Sequence, residues 1–298
     1  MKMQPVPSPR PGFRSGIVAI AGRANVGKST LLNAIVGQKV SIVSDKPQTT
    51  RSAVRGVLNL DNSQLVFVDT PGLHKPRTLL GRQLNRTALG AVSGVDLVVF
   101  VVDGKAGVGR GDRFVADEVA RRDICVLNKV DGVSRVAVMR QLQELGEWGF
   151  EQYFAVSART GAGVDDLVGN LVRRVPEGPA LYPTEVAGDK ASGTAGEVEE
   201  QEWVAELVRE QLLAVTHDEL PYSIACRVTE WEWPYVHCEI LVERDSQKGI
   251  VIGQGGAVLK RVGSAVRAQL PPGAYIELSV RVARDWQQRP EMLQQLGL

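Results

Sequence analysis

The 298-residue chain is poor in the residues that staple or metallate small proteins. It has three cysteines, Cys125, Cys226 and Cys238, with no Cys-x-x-Cys pair, and three histidines, His74, His217 and His237, each isolated along the chain. An odd set of dispersed cysteines argues against a disulfide framework and a cysteine zinc site, and points to a reducing compartment. The scattered histidines offer no ligand set, so no transition-metal site is expected. An excess of charge of one sign is also missing, since 35 Lys and Arg against 34 Asp and Glu leave a net charge of +1. Any nucleic-acid site must therefore rest on local clustering. Long apolar runs are absent: Leu97 to Val102, near the middle, is far too short to span a bilayer. The first residues carry Pro5, Pro7, Pro9 and Pro11 with Lys2, Arg10 and Arg14 but no apolar stretch of signal-peptide length. Residues 1–14 are expected to form a proline-stiffened, disordered arm. There is no internal repeat and no heptad pattern. What remains is an ordinary soluble composition, 44% hydrophobic and 23% charged, in a chain long enough for two domains with separate cores.

From Gly16 to about Val175, short β-branched runs alternate with helical stretches, the pattern of a mostly parallel sheet with crossover helices. Strands are expected at Ile17 to Ile20, Val54 to Leu60, Leu65 to Val68, Leu97 to Val102, Ile124 to Leu127 and Tyr153 to Val156. In such sheets ligands bind beyond the carboxyl ends of the strands. The segment TEVAGDKASGTAGEVEE, Thr184 to Glu200, has no period and reads as a flexible linker. These features divide the chain into an α/β domain at 15–182, a linker at 183–200 and a smaller α+β domain at 201–298. The last is read as helix, strands at Tyr222 to Thr229 and Val236 to Val242, helices, and a strand at Tyr275 to Val282.

The residues after the strands carry the chemistry. Gly22-Arg-Ala-Asn25-Val26-Gly27-Lys28-Ser29-Thr30 stands between a strand and a helix, the context a phosphate-binding loop requires. Its backbone N–H groups converge on phosphate oxygens, Lys28 reaches the β- and γ-phosphates, and the Ser29 hydroxyl ligates magnesium. Asp69-Thr70-Pro71-Gly72 follows the third strand: Asp69 holds magnesium through water, and Gly72 offers an unobstructed amide to the γ-phosphate. In the polar stretch Ser44 to Arg51, Thr50 is the favoured hydroxyl to complete the magnesium shell. Asn128-Lys129-Val130-Asp131 and Ser157-Ala158 end the next two relevant strands. The Asp131 carboxylate accepts from guanine N1–H and the 2-amino group, a donor pair adenine lacks, and the Ala158 amide donates to guanine O6. The base is therefore read as guanine. Leu73 stands where other switches place a water-orienting glutamine, and no built-in arginine finger is identified, so slow GTP turnover is expected. Asn25 has two readings: it hydrogen-bonds within its own loop, or it gives oxygen to a potassium ion, as an asparagine at this position does in related GTPases.

In the C-terminal part, Gly253-Gln254-Gly255-Gly256 fits GxxG between two helical stretches, in a helix and strand order like that of a type II KH domain, whose loop grips about four nucleotides. Lys248, Lys260, Arg261 and Arg267 flank it as phosphate contacts, and Ile250, Val251, Ile252, Val258 and Val262 are read as the groove beneath the bases. Trp231, Trp233 and Tyr235 are given no role.

Together GRANVGKST, QTTR, DTPGLH, NKVD and Ser157-Ala158, with ELPYS (219–223), ILVER (240–244) and VIGQGG (251–256), resemble the Era family of bacterial GTPases over nearly everything after Phe13. The resemblance implies a P-loop GTPase domain followed by a type II KH domain, with GTP or GDP and Mg2+ as ligands. It implies binding to small-subunit ribosomal RNA near its 3′ end and help in 30S subunit maturation. A cytoplasmic monomer with no DNA partner is expected, with peripheral contact at the inner face of the cell membrane left open. The arm, the long linker and Ala24, where the family usually carries proline, are departures. Two other readings compete: an RNA chaperone holding GTP without turnover, and a small-molecule phosphotransferase, against which NKVD and DTPG argue.

Overall fold

The computed structural model describes residues 11–76, 78–183, 195–196 and 200–298. Most of the arm and most of the linker lie outside the described residues. Arg14, expected in the arm, instead opens the first strand, because its N–H donates to Asn62 O at 3.1 Å and its guanidinium to Val175 O at 2.6 Å.

The N-terminal fold runs β1 (Arg14–Gly22), α1 (Lys28–Val36), β2 (Val54–Leu60), β3 (Ser63–Asp69), α2 (Leu79–Val92), β4 (Leu97–Asp103), α3 (Arg110–Val119), β5 (Ile124–Asn128), α4 (Arg135–Gly146), β6 (Gln152–Ala155) and α5 (Val164–Arg174). A two-residue strand, β7 (Ala195–Gly196), lies within the segment read as linker and pairs antiparallel with Arg55 and Gly56. The sheet order is β6-β5-β4-β1-β3-β2-β7, parallel from β6 to β3 and antiparallel at β2.

The central strands are apolar on both faces because helices cover both. On β4, Leu97, Val99 and Val101 pack into one core while Val98, Phe100 and Val102 pack into the other, the two-residue alternation of a doubly covered strand. Helices α1 and α5 supply the first core, and α2, α3 and α4 the second.

The C-terminal fold runs α6 (Glu200–Val215), α7 (Leu220–Ser223), β8 (Ala225–Glu232), β9 (Tyr235–Val242), α8 (Asp245–Ile252), α9 (Ala257–Arg267), β10 (Tyr275–Val282) and α10 (Pro290–Gln295). Its sheet order is β10-β9-β8, with β10 parallel to β9 and β8 antiparallel. Val236, Cys238, Ile240 and Val242 of β9 point into a core with Val204, Leu207, Val208 and Leu212 of α6 and Val262 and Val266 of α9. Tyr222, expected in a strand, sits in the helical turn α7: Pro221 lacks the N–H a ladder requires and suits a helix's first turn. Beyond β10 lies a closing segment the sequence did not signal, in which the fully buried Trp286 donates its indole N–H to Ser223 O at 2.9 Å.

By its contacts the chain divides into two units. Among the described residues, one comprises 11–41, Thr50–Lys75 and 84–183 with β7; the other comprises Ile42–Thr49, 76, 78–83 and the chain from α6 onward. Among the described residues no helix is long and apolar enough to cross a membrane.

Candidate nucleotide and RNA sites

In the first unit, the strand ends set out a row of loops. β1 delivers the loop Gly22 to Gly27, which ends at the N-terminus of α1, where Gly27 takes a left-handed conformation (φ 94°) with no side-chain cap. The first N–H groups of α1 thus stay available to an anion, and the helix dipole favours one there. Glycine is required at position 27 because a Cβ would fall 2.4 Å from Asn128 Nδ2. Gly72 meets the same loop so closely that a Cβ would stand 2.5 Å from Ala24 Cα. Val26 is buried in the first core and Thr30 is half-buried in the first turn of α1.

Lys28 is buried, and its ammonium donates to two backbone carbonyls, Gly22 O at 3.3 Å and Arg23 O at 2.8 Å. Burial lowers its pKa to about 8, against the opposing pull of Asp69. A buried cation partnered mainly by carbonyl dipoles suits a phosphate. Asp69, fully buried at the end of β3, accepts three hydroxyls at Oδ2: Ser29 at 2.6 Å, Ser41 at 3.1 Å and Thr50 at 3.3 Å. Ser29 and Thr50 also meet at 2.9 Å. The other oxygen, Oδ1, is buried with no hydrogen-bond partner. Burial raises the Asp69 pKa, partly offset by Lys28 and the three hydroxyls. One carboxylate among hydroxyls fits Mg2+, a hard ion that takes few protein oxygens and fills its octahedron with water and phosphate. Ser29, Thr50 and Asp69 are thus brought together, and Ser41 joins them. Nothing in the sequence singled out Ser41; Asn33 places it, accepting from its N–H at 3.0 Å and donating to its carbonyl at 2.8 Å.

Two further loops converge from β5 and β6. Asn128, buried, donates from Nδ2 to Val26 O at 3.0 Å and accepts from Ala158 N–H at 3.0 Å. It therefore ties the phosphate loop to the Ser157-Ala158 loop. Lys129 donates to Asn25 O at 2.6 Å and pairs with Asp103 at 2.7 Å, a partner at the end of β4 that the sequence did not signal. Asn25 itself is exposed with φ 64°. The Asp131 carboxylate accepts from Ser157 Oγ at 2.6 Å and pairs with Arg159; the hydroxyl first, then the guanidinium, hold its pKa below the usual carboxylate range. Leu73 is buried in the second core, with its N–H on Gly22 O at 3.2 Å, and presents no polar atom to water.

In the second unit, the GxxG loop joins α8 to α9. Gly253, Gly255 and Gly256 have φ of 73°, 58° and 79°, and nothing lies within 4 Å of where a Cβ of Gly255 or Gly256 would be, so the loop presents bare peptide there. Gln254, Lys248, Lys260 and Arg261 are exposed, and none of these three cations is in an ion pair among the described residues. Ile250 is exposed, and Ile252 and Val258 are half-buried beside the loop. Val251 and Val262, read as groove residues, belong instead to the core: α8 and α9 turn those positions toward the sheet.

Residues 17–129 match the family described as 50S ribosome-binding GTPase, and residues 219–287 match the KH domain. The GTPase Era of Nocardioides sp. is 41% identical, with 97% of each chain covered. That of Heliobacterium modesticaldum is 40% identical over 96% of this chain and 97% of its own. Two solved structures are each 33% identical and cover 96% of this chain and 99% of their own: a variant Era of Aquifex aeolicus bound to GDP·AlF4−, at a TM-score of 0.88, and Era in complex with MgGDPNP and nucleotides 1506–1542 of 16S ribosomal RNA, at 0.89. With both folds, both sites and this likeness along nearly its whole length, the chain belongs to the Era family of GTPases.

Proposed function

We propose that the chain is a GTP-hydrolysing switch that binds small-subunit ribosomal RNA near its 3′ end and assists 30S subunit maturation, acting as a cytoplasmic monomer. The observation that carries the GTPase half is the convergence on one sheet edge of Lys28, the Asp69 hydroxyl cluster and the Asn128 tie. GTP lies with its phosphates on the loop Gly22 to Thr30 and its base between Asp131 and Ala158. Lys28 and the N–H groups of α1 neutralise charge growing on the bridging and γ-phosphate oxygens. Magnesium, when bound by Ser29, Thr50 and, through water, Asp69, supplies Lewis-acid stabilisation of the β- and γ-phosphates. Gly72 gives the amide that senses the γ-phosphate. With Leu73 packed into the core, this chain orients water poorly, which supports slow turnover. Asn25 is the residue through which a potassium ion would assist.

The RNA half rests on the bare GxxG backbone between exposed Lys248, Lys260 and Arg261, with Ile252 at its side. A relative has been solved with 16S ribosomal RNA nucleotides, which supports the same target here. The test is fluorescence anisotropy with an RNA oligonucleotide of the 16S 3′ end and a scrambled control. The native chain is expected to prefer the 3′-end RNA, and replacement of Gln254 and Gly255 by aspartate to abolish that preference while sparing GTP hydrolysis. Equal binding of both RNAs would refute the target, and undiminished binding by the variant would refute the loop.

A further inference from the structure

The first half of the phosphate loop, Arg23 to Asn25, is tied at both ends to the segment that follows β4. At one end Lys129, paired with Asp103, donates to Asn25 O, and Asp103 turns the segment by accepting the N–H groups of Lys105 and Ala106 at 2.9 and 3.1 Å. At the other end the Arg23 side chain leaves the loop for the start of α3, where its Nη1 donates to Asp112 Oδ2 at 3.3 Å. Asp112 is 2% exposed and also accepts the Gly109 N–H at 3.1 Å, which caps the helix. Burial raises its pKa, and the Arg23 guanidinium opposes that rise. A buried carboxylate is costly unless it is paired, so this one is built to hold a cation. Gly111 makes the room: a Cβ there would stand 3.0 Å from Arg23 Cζ and Nε, closer than side-chain carbons ordinarily come. Between the two ties stands Ala24, the residue on which Gly72 packs so closely that no Cβ fits. Arg23 and Leu73 form a parallel bridge beside that contact, with the Leu73 N–H on Gly22 O.

We infer that Arg23 and Asp112 are positioning residues for GTP hydrolysis: by fixing the loop at Arg23 they hold Ala24 against Gly72, and so set where the Gly72 amide meets the γ-phosphate. This rests on the GTPase reading proposed above and goes beyond it by giving the start of α3 a part in the site. Neither side chain touches the phosphates; they act through the backbone of the loop.

The experiment uses the full chain with Arg23→Met, Arg23→Lys, Asp112→Asn and the double variant Arg23→Met/Asp112→Asn. Asp112→Asn keeps an oxygen to accept the Gly109 N–H, so α3 retains its cap while the ion pair is lost. Affinities for MgGDPNP and GDP are measured by competition binding, with the single-turnover rate at saturating GTP and a thermal melt of each variant. The Arg23 side chain is 48% exposed, and water screens such a pair, so each single variant is expected to weaken MgGDPNP by about three- to tenfold. The rate at saturation should fall by a similar factor. GDP lacks the γ-phosphate and rests on the first N–H groups of α1, so its affinity should stay within about twofold. The double variant should lose no more than the worse single one, because both remove the same tie. Arg23→Lys keeps a cation for Asp112 and should restore part of the loss. Should Asp112→Asn melt, Arg23→Met and Arg23→Lys carry the test. If the native chain hydrolyses GTP but folded Arg23→Met leaves the MgGDPNP-to-GDP affinity ratio unchanged, or the two single losses add in a folded double variant, the positioning role is wrong. If the native chain itself releases no phosphate, the GTPase reading fails and takes this role with it.

Discussion

Replacing Asn128 by alanine tests the side chain that holds two loops of the site in register. The carboxamide makes two bonds at 3.0 Å, to Val26 O on one loop and from Ala158 N–H on another, and is 1% exposed. Alanine leaves a carbonyl and an N–H buried without partners, at about 1–3 kcal/mol each, or roughly 2–6 kcal/mol together. Part of that falls on folding stability. The rest falls on nucleotide binding, because a nucleotide with phosphates on the first loop and base against the second needs both in one register. If a third to a half falls on binding, GDP affinity drops by about 3- to 150-fold, since each factor of ten is about 1.4 kcal/mol. The assay is displacement of fluorescent GDP, with a thermal melt to establish that the variant is folded. The tie accepts the Ala158 N–H that is read as the donor to O6, an oxygen guanine and xanthine share, so in an Asp131→Asn background Asn128→Ala should weaken xanthosine diphosphate by the same factor. Undiminished GDP binding by folded Asn128→Ala, or a loss that differs between the guanine and xanthine nucleotides, would refute the reasoning.

Asp131→Asn should itself lose GTP affinity and gain relative affinity for xanthosine triphosphate, because the amide places a donor opposite the base 2-position; two charge-assisted bonds at about 1.5–3 kcal/mol each make a loss of 10²-fold or more, read by competition binding. Ser29→Ala removes one of the three hydroxyls on Asp69, and should impair Mg2+-dependent nucleotide binding while leaving the guanine-over-adenine preference intact in the same assay. If Asn25 holds potassium, GTP hydrolysis at equal ionic strength is faster in potassium than in sodium, and Asn25→Ala removes the difference; equal native rates in both salts would show that Asn25 serves only its loop.

Much of the architecture was legible because buried parallel strands are bounded runs of β-branched residues, and because phosphate chemistry needs glycine, lysine and hydroxyl at fixed spacing. β4 stood out for that reason, as did the row of loops from Gly22 to Ala158. Other features depend on partners remote in sequence. Ser41 is one serine among many until Asn33 folds its segment onto Asp69. Asp103 acquires its role only when β4 and β5 lie side by side and Lys129 reaches across. The burial of Arg209 is not written in the period of α6, where an arginine reads as solvent-facing. Tyr222 was drawn toward strand by its β-propensity, and Pro221 overruled it. Val251 and Val262 show a further limit: apolar residues beside a binding loop serve as groove or as core, and only helix phase against the sheet decides which.

The central claim, that this site hydrolyses GTP and does not merely hold it, is tested most directly by single-turnover phosphate release from the purified full chain with Mg2+ and either GTP or ATP. The account predicts release from GTP at about 10⁻⁴ to 10⁻² per second, the range of P-loop switches that lack a supplied arginine, and none above buffer from ATP. Tight GTP binding with no phosphate released would contradict it in favour of an RNA chaperone that keeps GTP as a structural ligand, and equal rates with ATP would overturn the reading of Asp131 and Ala158.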